Sequence, residues 1–158
     1  METALLDKQQ LMHNAQQSMQ QHFQDEDYTD PQKLALTCRI LFDHGHDAGL
    51  AGQITSRTKK GNTFITQRFG LGFDEITAAN LLEVNQDLKP LNGEGMANPA
   101  NRFHTWIYKE HPEVNCIIHT HPTHVAALSM LRVPLVISHM DTCALYEDCS
   151  FIGDWPGV

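Results

Sequence analysis

The sequence has little positive charge. Its 158 residues include 11 lysines and arginines against 19 aspartates and glutamates, which gives a formal net charge of −8. Binding to nucleic acid or to an anionic membrane through counterion release requires clustered lysine and arginine side chains. Only residues 57–60 are locally basic, and a glycine follows them. The composition therefore predicts no nucleic-acid partner and no membrane partner.

Paired cysteines and long apolar runs are also lacking. No CxxC pair occurs, which argues against a disulfide framework or a cysteine zinc site and predicts small buried hydrophobes at Cys38, Cys116, Cys143 and Cys149. No window approaches the roughly 20 apolar residues of a membrane span. Glu2 and Asp7 stand where a signal peptide needs positive charge. We therefore predict a cytoplasmic protein.

Helical and strand-like patterns alternate along the chain without a linker that would divide a core. A glutamine-rich stretch predicts a helical extension in residues 1–28, and the remainder, 29–158, reads as one domain. A capping residue followed by proline at Thr29–Pro31 predicts the start of the first domain helix. The pattern predicts helices over 31–43, 99–110 and 123–130, and strands over 53–57, 63–66, 114–119 and 133–138.

The predicted helix over 99–110 and the strand after it each carry apolar residues that predict contact with the core. Phe103, Trp106 and Ile107 recur at helical spacing, which predicts the core-facing side of that helix. The strand over 114–119 is predicted to be buried, because its apolar run continues almost to the histidines that follow.

Three histidines lie within six positions in the segment CIIHTHPTH. Residues two apart on a strand point to the same face, so His119 and His121 are predicted to lean toward one metal ion. Imidazole suits Zn²⁺, although Fe, Co, Ni and Mn sites also use it. The alternative is a solvent-facing pair at a strand end. His124 falls on the next helix and is predicted to be a bystander, whereas His139, after another predicted strand, is a candidate ligand.

The order of these features resembles the class II aldolase and adducin head-domain family. The resemblance runs from about Pro31 to the C-terminus and rests on GQITSR, FIT with FGLGFDEIT, NPANRFHTWIYKEHPEVNCIIHTHPTHVAALSM and VPLVISH. It implies an α/β fold, a three-layer α/β/α domain around a mainly antiparallel central sheet. The elements predicted from periodicity agree with that fold.

The resemblance also implies a function. Enzymes of this family are lyases and related enzymes that use a divalent metal, most often zinc, held by three histidines, and the first two look like His119 and His121. It implies a small-molecule substrate, namely a hydroxyketone, hydroxy acid or sugar phosphate, cleaved through a stabilised enediolate. It implies a homo-oligomer, commonly a tetramer. Positions that look like substrate or phosphate contacts are Gly52, Thr55, Gly70 and Asn98.

The sequence departs from the family pattern at the catalytic acid. Ala100 stands where the family carries a glutamate four residues before the position of His104. Glu94 and Asp74 are the candidates that would replace it. Two other possibilities stay open: a non-catalytic adducin-like oligomerisation and binding module, and a metal-dependent decarboxylase or epimerase.

A second departure concerns the metal. The third metal histidine of the family lies beyond the last residue here, so we expect the C-terminal part of the domain to be missing. His139 or a neighbouring subunit would have to substitute for it. We therefore expect a defective or metal-free site in this chain, and an enzyme only in the intact protein.

Overall fold

The computed structural model describes residues 7–22 and 27–154. It contains the helices α1 (Lys8–His22), α2 (Asp30–Asp43), α3 (Asn101–Glu110) and α4 (Thr123–Met130), with 3₁₀ turns at Phe73–Glu75 and Met140–Leu145. The strands are β1 (Gln53–Arg57), β2 (Phe64–Thr66), β3 (Leu82–Val84) and β4 (Cys116–His119). The helix predicted in the N-terminal extension is present as α1, and no residue of α1 is buried. Residues 1–6 and 23–26 of the predicted extension lie outside the described residues.

The four strands form one antiparallel sheet in the order β3-β2-β1-β4. Helix α2 and the first 3₁₀ turn cover one face, where Leu34, Cys38 and Ile54 belong to one buried cluster. Helix α3 covers the other face, where Phe64 and Tyr108 belong to a second cluster. The predicted three-layer α/β/α arrangement with an antiparallel sheet is therefore confirmed.

Helix α2 begins where the sequence predicts. The side chain of Gln32 accepts hydrogen bonds from the backbone N–H of Thr29 at 2.9 Å and from its hydroxyl at 2.9 Å, and Pro31 lies in the first turn. This satisfies a donor that the helix itself leaves unpaired. Leu34 and Cys38, one turn apart, then bury the core-facing stripe of the helix.

A glutamine side chain extends the pairing of β1 with β2 beyond the last paired backbone residues. In an antiparallel ladder every second residue pair exchanges backbone hydrogen bonds. The hydrogen bond from Thr58 N–H to Thr63 O shows that this pair is one of them. By the same register, Ile54 and Gln67 would form another hydrogen-bonded pair. Instead, the Gln67 side-chain oxygen accepts from Ile54 N–H at 2.7 Å, and its amide group donates to Gly52 O at 3.0 Å. The Gln67 side chain thereby holds the chain that leads into β1.

Two predicted strands need correction. The strand predicted over 114–119 is shorter, and its residues alternate between exposed and half-buried rather than being buried. Among the described strands it is an outer strand of the sheet, and β1 is its one partner there. Residues 133–138, also predicted as a strand, form none in the described part of the chain. An extended segment becomes a strand only when its backbone groups find a partner strand, and no such pairing forms for this segment.

The prediction of four buried cysteines holds for one of them. Cys38 is buried, whereas Cys116, Cys143 and Cys149 are exposed and unpaired. Within residues 7–22 and 27–154, no helix is long and apolar enough to span a bilayer.

Candidate functional site

His119 and His121 lie side by side where β4 ends. Their Nε2 atoms are 2.8 Å apart, and their ring centroids are 4.7 Å apart with the ring planes at 75°. Pro122 then directs the chain into α4. The sequence-predicted pair is therefore close together, with one nitrogen of each ring converging on the other.

The protonation of this pair suits a metal. Burial and the neighbouring His121 lower the pKa of His119, which favours the neutral imidazole that coordinates a cation. Without a metal, an Nε2 distance of 2.8 Å requires that one ring donate to the other. Among the described residues, no group of three or more His, Cys, Asp and Glu side chains surrounds a common point as a metal site would require. The donor set fits a divalent metal, and it supplies two ligands.

A cavity of about 680 Å³ opens beside this pair. Gln53 faces His119 across the sheet as its direct partner in the antiparallel pairing of β1 with β4, so the two side chains share a face. The cavity is lined by these two residues together with Ala51, Gly52, Asn98, Ala100, Phe103, Ile107 and His121. Its volume falls in the range of small-molecule sites.

Gln53 brings an unpaired donor to this cavity. Its side chain is only 2% exposed, and the amide nitrogen Nε2 has no hydrogen-bond partner in the described part of the chain. A buried amide without a partner costs free energy, so such a group commonly marks a place where a ligand or a water binds. Gln53 was not among the predicted site residues; the signal that could have located it is its place at the start of β1, directly after a glycine.

Behind the cavity, Thr55 joins β1 to α3 through a buried polar network. Its hydroxyl oxygen lies 2.8 Å from His104 Nδ1 and 2.9 Å from the Tyr108 hydroxyl, which also donates to the Thr55 carbonyl at 2.9 Å. Thr55, a predicted substrate contact, is therefore committed to the scaffold and does not line the cavity.

The network also fixes the tautomer of His104. The Tyr108 hydrogen goes to the Thr55 carbonyl, so the Thr55 hydroxyl donates to Tyr108 and His104 Nδ1–H donates to Thr55. The Nε2 atom of His104 then carries a lone pair that is buried without a partner among the described residues. Burial, and secondarily the charge of His119, lower the pKa of His104 to about 4, so its imidazole is neutral at pH 7.

The faces of α3 are the reverse of the prediction. Trp106 is 61% exposed, and Phe103 and Ile107 line the cavity. The buried residues of the helix are mostly polar: Asn101, His104, Thr105 and Tyr108. Asn101, His104 and Tyr108 recur at helical spacing, which is the signal that could have located this face. Hydrogen bonds from this face to Thr55 and Thr66 offset part of the free-energy cost of burying polar groups.

Gly52 lies between the cavity and Phe73, which belongs to the buried cluster on the α2 face of the sheet. Its φ is +96°, and a β-carbon added there would lie 3.2 Å from the His119 carbonyl oxygen and 3.2 Å from the Phe73 ring. Both the backbone conformation and the space therefore require glycine. This glycine allows β4 to approach closely and so helps to set the position of the histidine pair.

Gly52→Ala is expected to destabilise the domain by about 2–3 kcal/mol, because it combines a left-handed backbone conformation with a contact against β4. Gly45→Ala is the matched control, since Gly45 also has a positive φ of +70° but has open space around it. That control should cost about 1 kcal/mol. Urea unfolding measures both, and equal losses would contradict the close-approach argument.

The structure does not bring the predicted acids to the cavity. Glu94 and Asp74 are both exposed, and neither lines it. Gly70 is exposed and also lies outside the lining. Asn98 does line the cavity, and its side-chain oxygen accepts a hydrogen bond from the Ala100 N–H at 2.9 Å. Of the predicted substrate contacts, Gly52 and Asn98 are therefore at the cavity.

The other two histidine candidates lie elsewhere. His139 caps the second 3₁₀ turn, where its Nδ1 accepts from Asp141 N–H at 3.3 Å. It is exposed and forms no metal-binding group with His119 and His121 in the described part of the chain. His124 is exposed on the first turn of α4 and does not line the cavity, in agreement with the prediction that it is a bystander.

Comparison with known proteins agrees with this architecture. A family model described as Class II Aldolase and Adducin N-terminal domain matches residues 32–157. Adducin-related protein 1 of Caenorhabditis elegans is 34% identical over 131 residues, which cover 77% of this chain and 18% of that protein. An L-fuculose phosphate aldolase of Haemophilus influenzae is 28% identical over 108 residues, 68% of this chain and 49% of the enzyme.

Solved structures show the same relationship. The L-fuculose 1-phosphate aldolase from Glaciozyma antarctica superimposes with a TM-score of 0.70 at 34% identity, covering 74% of this chain and 49% of that one. The chain spans at most about half the length of these curated and solved relatives. On the match over residues 32–157 and this identity, the chain belongs to the class II aldolase and adducin N-terminal domain family.

Proposed function

We propose that this chain carries part of the metal centre of a class II aldolase-type lyase acting on a small hydroxyketone, hydroxy acid or sugar phosphate. The observation that carries the proposal is the convergence of His119 and His121 at 2.8 Å beside a cavity of ligand size. A domain that serves only for structure gains nothing from two imidazoles that converge on one point next to a cavity.

In this proposal His119 and His121 hold a divalent metal, most simply Zn²⁺, through their Nε2 atoms. Bound there, such a metal supplies a Lewis acid that polarises carbonyl and hydroxyl oxygens and stabilises an enediolate. The neutral state of His119, favoured by its lowered pKa, leaves the nitrogen lone pair available for coordination. Since two protein ligands are fewer than the three of a typical catalytic zinc site, a further ligand from outside the described residues is part of the proposal.

The remaining lining residues orient the substrate. The unpaired amide of Gln53 donates to a substrate oxygen, and Phe103, whose ring centroid lies 5.3 Å from that of His119, excludes water from one side. In the part of the chain that the structure describes, no Asp or Glu lines the cavity. Proton transfer to the product is therefore assigned to water or to a group of the substrate itself.

The test combines metal content with turnover. The chain and the intact protein that supplies the further ligand are each dialysed with Zn²⁺ and then against buffer, and their metal is measured by plasma mass spectrometry. The same samples are assayed for aldehyde or CO₂ release from a panel of hydroxyketones, hydroxy acids and a sugar phosphate. We expect about one metal ion per chain and cleavage of at least one compound for the intact protein, and weaker metal retention with little turnover for the chain alone. An intact protein that retains no metal and cleaves none would contradict the proposal.

A second candidate function is a non-catalytic, adducin-like module for self-association. Ala100 at the cavity, with no carboxylate in the lining, favours it, as does the identity to an adducin-related protein. The same experiment separates the two, because a module shows no turnover. Release of CO₂ without aldehyde would instead favour a decarboxylase on this fold, and racemisation at the hydroxyl-bearing carbon would favour an epimerase.

A further inference from the structure

We infer that the cavity takes a hydroxy or oxo compound that lacks a phosphate group and carries a compact apolar substituent. The inference narrows the substrate class of the proposed function, and it rests on that function for the position of the reacting oxygens. Three properties of the cavity support it: the positions of the nearby cations, the pairing of the backbone amides at its rim and the apolar character of its wall.

Among residues 7–22 and 27–154, no lysine or arginine lines the cavity. The arginines of neighbouring elements are committed elsewhere. Arg57 donates to the Val114, Gly61 and Tyr108 carbonyls, and Arg102 donates to the Gln86 and Asp87 carbonyls. A phosphate dianion in this cavity would therefore lack the charge-assisted partners that hold such groups in proteins.

The start of α3 does not replace those cations. Helix N-termini bind phosphate through free backbone N–H groups, but here the groups nearest the cavity are already paired. Ala100 N–H donates to the Asn98 side chain at 2.9 Å, and the next three N–H groups donate to carbonyls three residues earlier, at 2.9, 3.1 and 3.4 Å. The amides that would cradle an anion are occupied by the chain itself.

The polar donors that the side chains of the cavity offer, apart from the histidine pair, are the neutral amides of Gln53 and Asn98. Gln53 Nε2 is buried and has no hydrogen-bond partner among the described residues, and Gln53 is the cross-strand neighbour of His119. Its N–H group beside the histidine pair matches an acceptor oxygen of a hydroxyl, carbonyl or carboxylate. Neutral amides do not supply the positive charge that holds a phosphate group.

The rest of the wall is apolar. Phe103 and Ile107 lie one turn apart on α3 and form a continuous strip, with the methyl groups of Ala51 and Ala100 nearby in the lining. An alkyl or aryl substituent placed along this strip is removed from water, which contributes roughly 25 cal/mol per Å² of buried apolar area. The strip begins at Phe103, which contacts His119. One small molecule can therefore contact both the histidine pair and the apolar strip.

Three matched probes test the inference by isothermal titration calorimetry, with Zn²⁺ present and absent. Glycolate provides the hydroxy acid alone, phosphoglycolate adds a phosphate, and mandelate adds a phenyl group. We expect mandelate to bind roughly tenfold or more tighter than glycolate, because burial of the ring supplies the difference. We expect phosphoglycolate to bind no tighter than glycolate.

Substitutions at Ile107 test whether the apolar strip causes the preference for mandelate. Ile107 is 37% exposed, so the fold should tolerate its replacement. Ile107→Ala should reduce mandelate affinity roughly fivefold and leave glycolate unchanged. Ile107→Lys should raise phosphoglycolate affinity roughly fivefold by adding the missing cation. Gln53→Met should weaken all three probes by a similar factor. Trp106→Ala is the matched control, since Trp106 lies on the same helix but outside the cavity, and should change none.

Tighter binding of phosphoglycolate than of glycolate to the wild-type chain overturns the inference. So does a mandelate preference that persists in Ile107→Ala, and so does failure of mandelate to bind. Zinc content measured in the same samples distinguishes failure of this inference from failure of the proposed function. If the protein retains zinc but prefers phosphoglycolate, the inferred ligand class is wrong and the proposed metal function is not contradicted. If it retains no zinc but shows a mandelate preference that depends on Ile107, the proposed metal function is wrong and the inferred ligand class is supported.

Discussion

Replacement of His121 by alanine is expected to lower the affinity of the chain for Zn²⁺ by roughly a hundredfold. In the proposed site the two Nε2 atoms, 2.8 Å apart, coordinate one ion together, and removal of one leaves a single imidazole to compete with water. Loss of groups that only support a metal ligand already costs about 10–100-fold, so loss of a ligand should reach at least the upper end. Competition with a chromophoric chelator measures the change.

His124→Ala is the matched control for this experiment. His124 lies three residues further on, is exposed, and does not line the cavity. Its removal should leave zinc affinity within about twofold of the wild type, given the modest effect of exposed charges on distant sites. His121 is also exposed, so both variants should keep the wild-type melting temperature in the absence of metal. An equal loss of affinity in both would show that zinc binds to scattered surface histidines.

Acidification is expected to destabilise the domain through His104. The pKa of this residue is about 4 in the folded state, against an ordinary value near 6.5. The unfolded chain therefore takes up a proton at a pH where the folded chain does not, so stability falls as the pH is lowered from about 6.5 to about 4. Over that window His104 accounts for a loss of about 3 kcal/mol, and below it for no further loss.

The variant His104→Gln tests this assignment. Glutamine keeps a polar group near Thr55 but does not titrate, so the variant should be less stable than the wild type at pH 7 and lose much less stability on acidification. The free energy of unfolding in urea, measured at pH 4.5, 5.5 and 7, gives both slopes. His119, whose pKa is also lowered, contributes to the loss of stability on acidification in both proteins. The difference between the two slopes therefore reports mainly on His104. Parallel slopes would exclude His104 as the main acid-sensitive group.

Local signals in the sequence account for much of the fold. The capping residue and proline at the start of α2, and glycine after its end, predict that helix to within a residue or two. The turn between β1 and β2 and the His-x-His spacing likewise depend on neighbours in the chain. The histidine pair was therefore predictable, and the family resemblance followed from the order of these local features.

Features that depend on distant partners were not predictable in this way. The buried side of α3 is polar because Thr55 and Thr66, more than thirty residues earlier, supply hydrogen bonds to it. The apolar residues at helical spacing mark the opposite side, since Phe103 and Ile107 line a cavity and Trp106 is exposed. That Gln53 lines the cavity was not predicted for a related reason, because its position beside His119 depends on the pairing of β1 with the distant strand β4.

The strand predicted over 133–138 illustrates the same limit. Its apolar, β-branched composition suits a strand, but composition cannot state whether a partner strand lies beside it. Strand β4 pairs with β1 on one side, and no described segment pairs with its other side. A pattern that predicts local conformation thus failed where pairing decides the outcome.

The Gln67 side chain has a consequence for how motion at the cavity would be observed. Its oxygen, not a backbone carbonyl, protects the amide hydrogen of Ile54, and its amide holds Gly52. Hydrogen exchange at Ile54 therefore reports rotation of one side chain and does not require that β1 separate from β2. Fast exchange at Ile54 beside slow exchange at Ser56 would reveal a sheet that stays intact while the entrance to β1, next to Gln53, changes its shape.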